Sequence, residues 1–183
     1  MKNIVLIHGT WCDGSVWGDF ASKLENMGLQ VHTPSLRYHD LSYDEVMEKV
    51  GAVSLTDYAD DLVALVESLE EPPLLLGHSL GCLLAQMVAE RTQVAGMILM
   101  AFPFFDKSRA GHVDFSKITE PGLVITGSED KMTVSAIARK TAKNYKDSVL
   151  VSLTGADHMY ESGKFQDKTL SVIYAWLNEK AYL

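Results

Sequence analysis

The sequence predicts an α/β protein, an open, mostly parallel, doubly wound sheet of about six strands flanked by helices. Three observations carry this reading. Short runs rich in Val, Ile and Leu alternate with longer helical patterns along the whole chain. The runs are continuously apolar rather than alternating, as in strands covered on both faces. One of them, Leu74-Leu75-Leu76, leads into Gly77-His78-Ser79-Leu80-Gly81 and then into the apolar stretch 82–89. That is a strand, a tight Gly-x-Ser-x-Gly turn and a helix, the setting in which a serine sits on strained backbone with its hydroxyl exposed.

In chain order, the expected strands are Asn3–Ile7, Leu29–Thr33, Pro73–Leu76, Val94–Phe102, Gly122–Thr126 and Ser148–Leu153. After the first, Trp17, Phe20, Leu24 and Met27 share one helical face, and Gly28 is placed to end it. Ser42 with Glu45 forms a capping-box pattern that opens a short helix through Val46 and Val50; Ser54 with Asp57 is a second start signal. From there Tyr58, Leu62, Leu65, Val66 and Leu69 make an apolar stripe that Pro72 and Pro73 terminate. The helix after Ser79 is apolar nearly all round and is expected to be the most buried. Val134, Ile137, Ala138, Ala142 and Tyr145 line a further helix, and Phe165, Thr169, Val172, Ile173 and Trp176 the last; both stripes read as core packing. No repeat, low-complexity tract or linker interrupts the pattern, so residues 1–183 are expected to form one domain.

With 183 residues, 47% hydrophobic and 22% charged, the chain falls in the size range where about 68 to 75% of the unfolded surface is buried. Its formal net charge is −8, with acidic and basic residues interspersed, which argues against a nucleic-acid partner. The apolar run Ile4 to Ile7 is too short for a signal-peptide core. The longest apolar region, Met97 to Phe105, is interrupted by Pro103 and is too short for a membrane span. A cytoplasmic location is therefore expected, with Cys12 and Cys82 as free thiols. No zinc-ligand pattern, phosphate loop or dinucleotide fingerprint is present, so no metal or organic cofactor is expected. The oligomeric state is left open.

In open α/β sheets ligands bind beyond the carboxyl ends of the strands, so partners for Ser79 are sought in the loops that follow strands. A serine hydroxyl needs a histidine base, and the base needs a carboxylate to fix its tautomer and stabilise its cation. His158, in Gly155-Ala156-Asp157-His158, lies just past the last strand. His112 falls in a connection and His32 in a strand, and His78 flanks the serine on an elbow where neighbours point apart. For the carboxylate, Asp130 follows the fifth strand in Thr126-Gly127-Ser128-Glu129-Asp130. Asp106, after the fourth strand, is its rival, while Glu129 and Asp157 read as solvated loop charges. Negative charge developing on a substrate carbonyl needs backbone donors. One is expected from Leu80, at the start of the elbow helix, and the other from His8-Gly9-Thr10-Trp11-Cys12, with Thr10 ahead of Trp11. Cys12 and Cys82 fall close to this site and read as inert packing groups rather than a redox control point.

These residues give the chain its resemblance to a known group. His8-Gly9 with Trp11 to Trp17, GHSLG at 77–81, TGSED at 126–130 and GADHM at 155–159 occur in the order found in the α/β-hydrolase superfamily. The segment HGTWCDGSVW is similar to the HG-x-x-x-G-x-x-W loop of the plant methylesterase and hydroxynitrile lyase-like branch and of many bacterial relatives. The resemblance implies that the second strand lies at a sheet edge and the first between it and the third. It also implies Ser79 as nucleophile, Asp130 as acid, His158 as base, and Thr10 and Leu80 as oxyanion donors. Residues 34–40 resemble the family's polar loop after the edge strand, with Tyr38 and Asp40 where glycines are common; no catalytic role is attached to them. Two departures stand out. The chain starts at the strand before HG, without the two strands that commonly precede it, so the sheet is a reduced one. The connection 103–121 leaves little room for the helical lid of larger relatives.

A short lid leaves the site open to water and favours hydrolysis over transfer or a lyase reaction. Trp11, Phe104 and Phe105 are the candidate substrate-pocket residues; Phe104, Phe105 and Phe115 line an acyl pocket or flap, or simply pack. The expected activity is that of a serine hydrolase, a carboxylesterase cleaving small or medium acyl esters through a Ser79 acyl-enzyme. Hydrolysis of an amide, thioester or carbon–carbon bond is the second reading, and a noncatalytic ligand-binding protein of the same fold is the third.

Overall fold

Strands that carry apolar side chains on both faces must be covered twice, and the computed structural model, which describes residues 1–102, 113–133, 135–160 and 163–183, covers them so. Phe104, Phe105, Asp106, His112 and Val134 lie outside the described residues. The strands are β1 (Lys2–Ile7), β2 (Leu29–His32), β3 (Leu74–His78), β4 (Gly96–Met100), β5 (Gly122–Gly127) and β6 (Ser148–Leu153). They form one six-stranded sheet in the order β2-β1-β3-β4-β5-β6, and every neighbouring pair is parallel. All carboxyl ends therefore meet at one edge.

Among the described residues the helices are α1 (Gly18–Glu25), α2 (Tyr43–Lys49), α3 (Leu55–Glu67), α4 (Leu80–Ala89), α5 (Ser135–Ala142) and α6 (Gly163–Glu179). Alternate strand residues sort between them. Val5, Ile7, Leu75, Met97, Leu99 and Val124 belong to the core shared with α3, α4 and α5. Ile4, Leu6, Leu74, Leu76, Ile98 and Leu123 belong to the core shared with α1 and α6. In α4 every residue but Leu80 is buried, in keeping with its all-round apolar sequence. Capping fixes the start of α3, where the Ser54 hydroxyl accepts from the Asp57 N–H at 3.1 Å and the Asp57 carboxylate accepts from the Ser54 N–H at 2.8 Å. At α2 the Glu45 carboxylate likewise accepts from the Ser42 N–H.

Strand ends differ from the sequence expectation where tertiary pairing decides them. The fourth strand, expected over 94–102, spans only Gly96–Met100; the Ala101 N–H still donates to the Ile125 carbonyl at 3.0 Å, but its φ of 52° ends the extended backbone there. The third runs on through His78, because Gly77 and His78 pair with Leu99 and Met100. The second stops at His32, in register with Val5, one residue short of Thr33. Phe115, in a short 3-10 turn, packs edge-on against Tyr145 with ring centroids 6.2 Å apart, so its role is packing. Among the described residues no helix is long and apolar enough to cross a membrane.

Candidate active site

The turn between β3 and α4 exists because two positions lack side chains. A Cβ on Gly77 would lie 2.4 Å from the Gly81 carbonyl oxygen, and one on Gly81 would lie 2.0 Å from that of Ile7. With those atoms absent, α4 starts directly against the end of β1. Ser79 takes φ 53° and ψ −118°, a region that costs a non-glycine residue about 1 to 3 kcal/mol. The surroundings hold it there, since its N–H donates to the Met100 carbonyl at 3.1 Å. Beneath it, Cys82 Sγ lies 3.1 Å from the carbonyl oxygens of both Gly77 and Met100 and shares its one S–H between them. Burial pushes the Cys82 thiol well above its ordinary pKa, which keeps it a protonated donor rather than a reactive thiolate.

Two other loops meet this serine. His158 Nε2 lies 3.1 Å from Ser79 Oγ, and His158 Nδ1 lies 2.9 Å from Asp130 Oδ2. Because a carboxylate only accepts, Nδ1 carries the proton and the Nε2 lone pair faces the serine hydroxyl. Asp130 Oδ1 accepts from the N–H groups of Met132 and Thr133 at 2.8 and 2.9 Å. Burial opposes the charge on this carboxyl, but the His158 hydrogen bond and the two backbone donors outweigh it and hold its pKa below the ordinary value.

The loops bearing Asp130 and His158 are stitched together. Ser128 and Glu129 donate their N–H groups to the carbonyls of Leu153 and Ala156, each at 3.0 Å, and the Gly155 N–H donates to Ser128 Oγ at 2.8 Å. Contact is so close that a Cβ on Gly127 would fall 2.2 Å from the Ala156 carbonyl oxygen. Asp157, although exposed, accepts from the Tyr160 N–H at 2.8 Å, so it shapes the histidine's loop.

Opposite, residues 8–12 run past the serine, where a Cβ on Gly9 would lie 3.0 Å from Ser79 Cβ. This loop is braced from outside. His8 is fully buried, donates from Nδ1 to the Gly9 carbonyl and accepts at Nε2 from the Leu36 N–H, both at 2.9 Å. His39 donates from Nδ1 to the Cys12 carbonyl at 2.9 Å and accepts at Nε2 from the Tyr58 hydroxyl at 3.1 Å. Ser35 Oγ accepts from the Gly14 N–H at 3.0 Å. Leu80 opens α4, so its N–H has no intrahelical acceptor. Thr10 and Leu80 line the same cavity, about 430 Å³ in volume. Trp11 also lines it and is 75% exposed. Among the described residues no group of three or more metal-ligating side chains could hold an ion.

Comparison with known proteins places this arrangement. A family model described as the alpha/beta hydrolase family matches residues 4–111. The chain belongs to the alpha/beta hydrolase family. The esterase EstD of Thermotoga maritima is 31% identical over 116 residues, 55% of this chain and 26% of that protein; the chain thus spans about a quarter of EstD's length. Solved structures share its fold. MGS-MChE2, an alpha/beta hydrolase enzyme from the metagenome of lagoon sediments at Mar Chica, Morocco, superposes with a TM-score of 0.82 at 18% identity over 98% of this chain and 92% of that one. Est1E of Butyrivibrio proteoclasticus, solved with ferulic acid bound, gives 0.81 at 17% identity over 100% and 90%. The monoacylglycerol lipase of Paleococcus ferrophilus gives 0.74 at 18% identity over 97% and 94%.

Of the residues singled out by sequence, the fold brings Ser79 and Asp130 each into hydrogen-bond reach of His158 and sets Thr10, Trp11 and Leu80 around an adjoining cavity. His32 stays in β2, bonded to Asn3. Cys12 and Cys82 are both free. Three contributors have no signal in the sequence. His78 donates from Nε2 to the His158 carbonyl at 2.9 Å, while it is His158 that meets Ser79 Oγ. Ser35 and His39, in a loop without an assigned role, brace residues 12–14 from more than 20 positions away.

Proposed function

We propose that the hydrolase cleaves carboxylic esters of small or medium acyl groups through a covalent acyl-enzyme on Ser79. The observation that carries this reading is the unbroken hydrogen-bonded chain from Ser79 Oγ through the His158 imidazole to the Asp130 carboxylate, at 3.1 and 2.9 Å. The names of EstD, Est1E's ferulic acid complex and the monoacylglycerol lipase favour esters as the substrate class. Free Cys12 and Cys82 fit a reducing compartment, which for this reading is the cytoplasm.

In the reaction, Ser79 Oγ bonds to the carbonyl carbon as its proton passes to His158 Nε2 and the carbonyl π pair moves onto oxygen. That oxyanion is held by the N–H groups of Thr10 and Leu80, each such donor being worth about 2.7 to 4 kcal/mol. Collapse breaks the bond to the alcohol oxygen, which takes the proton from His158. Water then gives a proton to Nε2 as its oxygen bonds to the acyl carbon. A second collapse breaks the Ser79 ester, returns the proton to Oγ and frees the acid. Asp130 stays ionised throughout, holding the tautomer and stabilising the imidazolium.

The test is turnover of p-nitrophenyl esters by wild type and Ser79→Ala, with mass-spectrometric location of a phosphonate label. A loss of roughly 10⁴-fold or more in kcat and labelling at Ser79 are expected. Full activity in the variant would move the nucleophile elsewhere, and absence of both turnover and label would leave a noncatalytic binding protein.

A further inference from the structure

The cavity beside the serine is walled by a part of the chain with no assigned role. Leu41, Val46, Val50 and Val53 form its outer wall, and Thr10 and Leu80 its inner end. Resting on the ester-hydrolase reading, we infer that this groove is the acyl-binding site and takes an uncharged, apolar acyl chain of medium length.

Direction decides which half of the ester enters. The leaving oxygen must lie at His158 Nε2, which protonates it, and His158 comes from the loop after β6. The groove lies on the other flank of β3, where β1 and β2 end and residues 41–53 follow. With the carbonyl oxygen at the Thr10 and Leu80 N–H groups and the alcohol toward His158, the acyl chain is the substituent left to run into the groove. Chemistry decides its class. Among the described lining residues there is no Asp, Glu, Lys or Arg, so a charged acyl group would be desolvated there without a counter-ion. The volume of about 430 Å³ lies in the lower part of the range for small-molecule sites, about 300 to 1,000 Å³.

The wall itself supports this use. The helix α2 has no buried residue, yet its Glu45 carboxylate caps it at the Ser42 N–H and it sets Val46 toward the groove. Val46 on this helix and Val50 just past its end are half-buried apolar side chains on the groove, which an acyl chain would cover when substrate binds.

The experiment is the ratio of kcat/KM for p-nitrophenyl hexanoate to that for the acetate, in wild type, Val46→Trp and Val50→Trp. Full burial predicts a gain of about fourfold per methylene in wild type. Both indole substitutions, at half-buried positions, are expected to cut the ratio at least about tenfold by filling the groove. The same esters are titrated calorimetrically into Ser79→Ala with and without Val46→Trp, which reads binding without turnover. Ser79-dependent hydrolysis whose ratio neither substitution changes would overturn the groove and leave the ester reading standing. Tighter binding of hexanoate than acetate to Ser79→Ala, lost with Val46→Trp, in a wild type that hydrolyses neither ester, would sustain the groove and overturn the ester reading.

Discussion

The His78 imidazole donates from Nε2 to the backbone carbonyl of His158 at 2.9 Å, with the two rings 5.2 Å apart. The residue before the serine therefore ties down the loop that carries its partner imidazole. Its role is positioning. His78→Ala is expected to lower kcat about tenfold, the equivalent of one lost hydrogen bond of about 1 to 1.5 kcal/mol, with KM nearly unchanged. His78→Gln, which keeps a donor, should recover part of the loss. A fall in thermal midpoint with kcat intact would reduce His78 to a structural group.

Gly127 is the contact point between the loops of Asp130 and His158. A methyl group placed 2.2 Å from the Ala156 carbonyl oxygen must push the two apart. Gly127→Ala is expected to cost about 1 to 3 kcal/mol of stability by overpacking and to lower kcat as well. Thermal melts and initial rates on the same preparation check both effects; unchanged kcat would mean that the loops move independently.

Asp130→Asn replaces an acceptor by a group that can donate to His158 Nδ1, which favours the tautomer with its proton on Nε2. A drop of about 10⁴-fold in kcat is expected, with binding of p-nitrophenyl hexanoate to the Ser79→Ala background unaffected. Retention of kcat within about tenfold of wild type would hand the carboxylate's role to another residue.

Stability should fall with acid in two windows. Burial lowers the pKa of His8 and of His78 below 6.5, so below that pH the unfolded chain takes up protons that the native state refuses, and unfolding becomes easier. The loss grows as pH falls until the native pKa values are passed. Asp130, lowered from 3.8, adds a second loss as pH falls through and below its unfolded value. Urea midpoints measured from about pH 8 to about pH 3 check this, and a midpoint flat between about pH 7 and 5 would contradict the first window.

Local chemistry made much of this molecule legible. Gly77 and Gly81 declare the elbow because a side chain on the first would meet the backbone at the start of α4 and one on the second would meet the backbone at the end of β1. Continuous apolar runs declare a two-sided parallel sheet, and parallel strands deliver Asp130 and His158 to the edge where Ser79 stands. What escaped the sequence depends on loops meeting across distance. His78 looked idle because its partner is a backbone carbonyl 80 positions away. His39 and Ser35 have no local pattern, since their acceptor and donor lie in another loop. The cavity wall was sought at Trp11, which lines it, and at Phe104 and Phe105, outside the described residues; Val46 and Val50, to which the capping-box pattern gave a helix but no role, line it too.

Because α2 buries none of its residues, Val46 and, just past its end, Val50 are half-buried side chains that lie outside the sheet and the stitched loops. Diversification of substrate preference is thereby uncoupled from foldability. A library randomised at 46 and 50 alone should yield mostly folded proteins that differ in the chain length they favour, which makes this outer wall the natural place to retune the molecule.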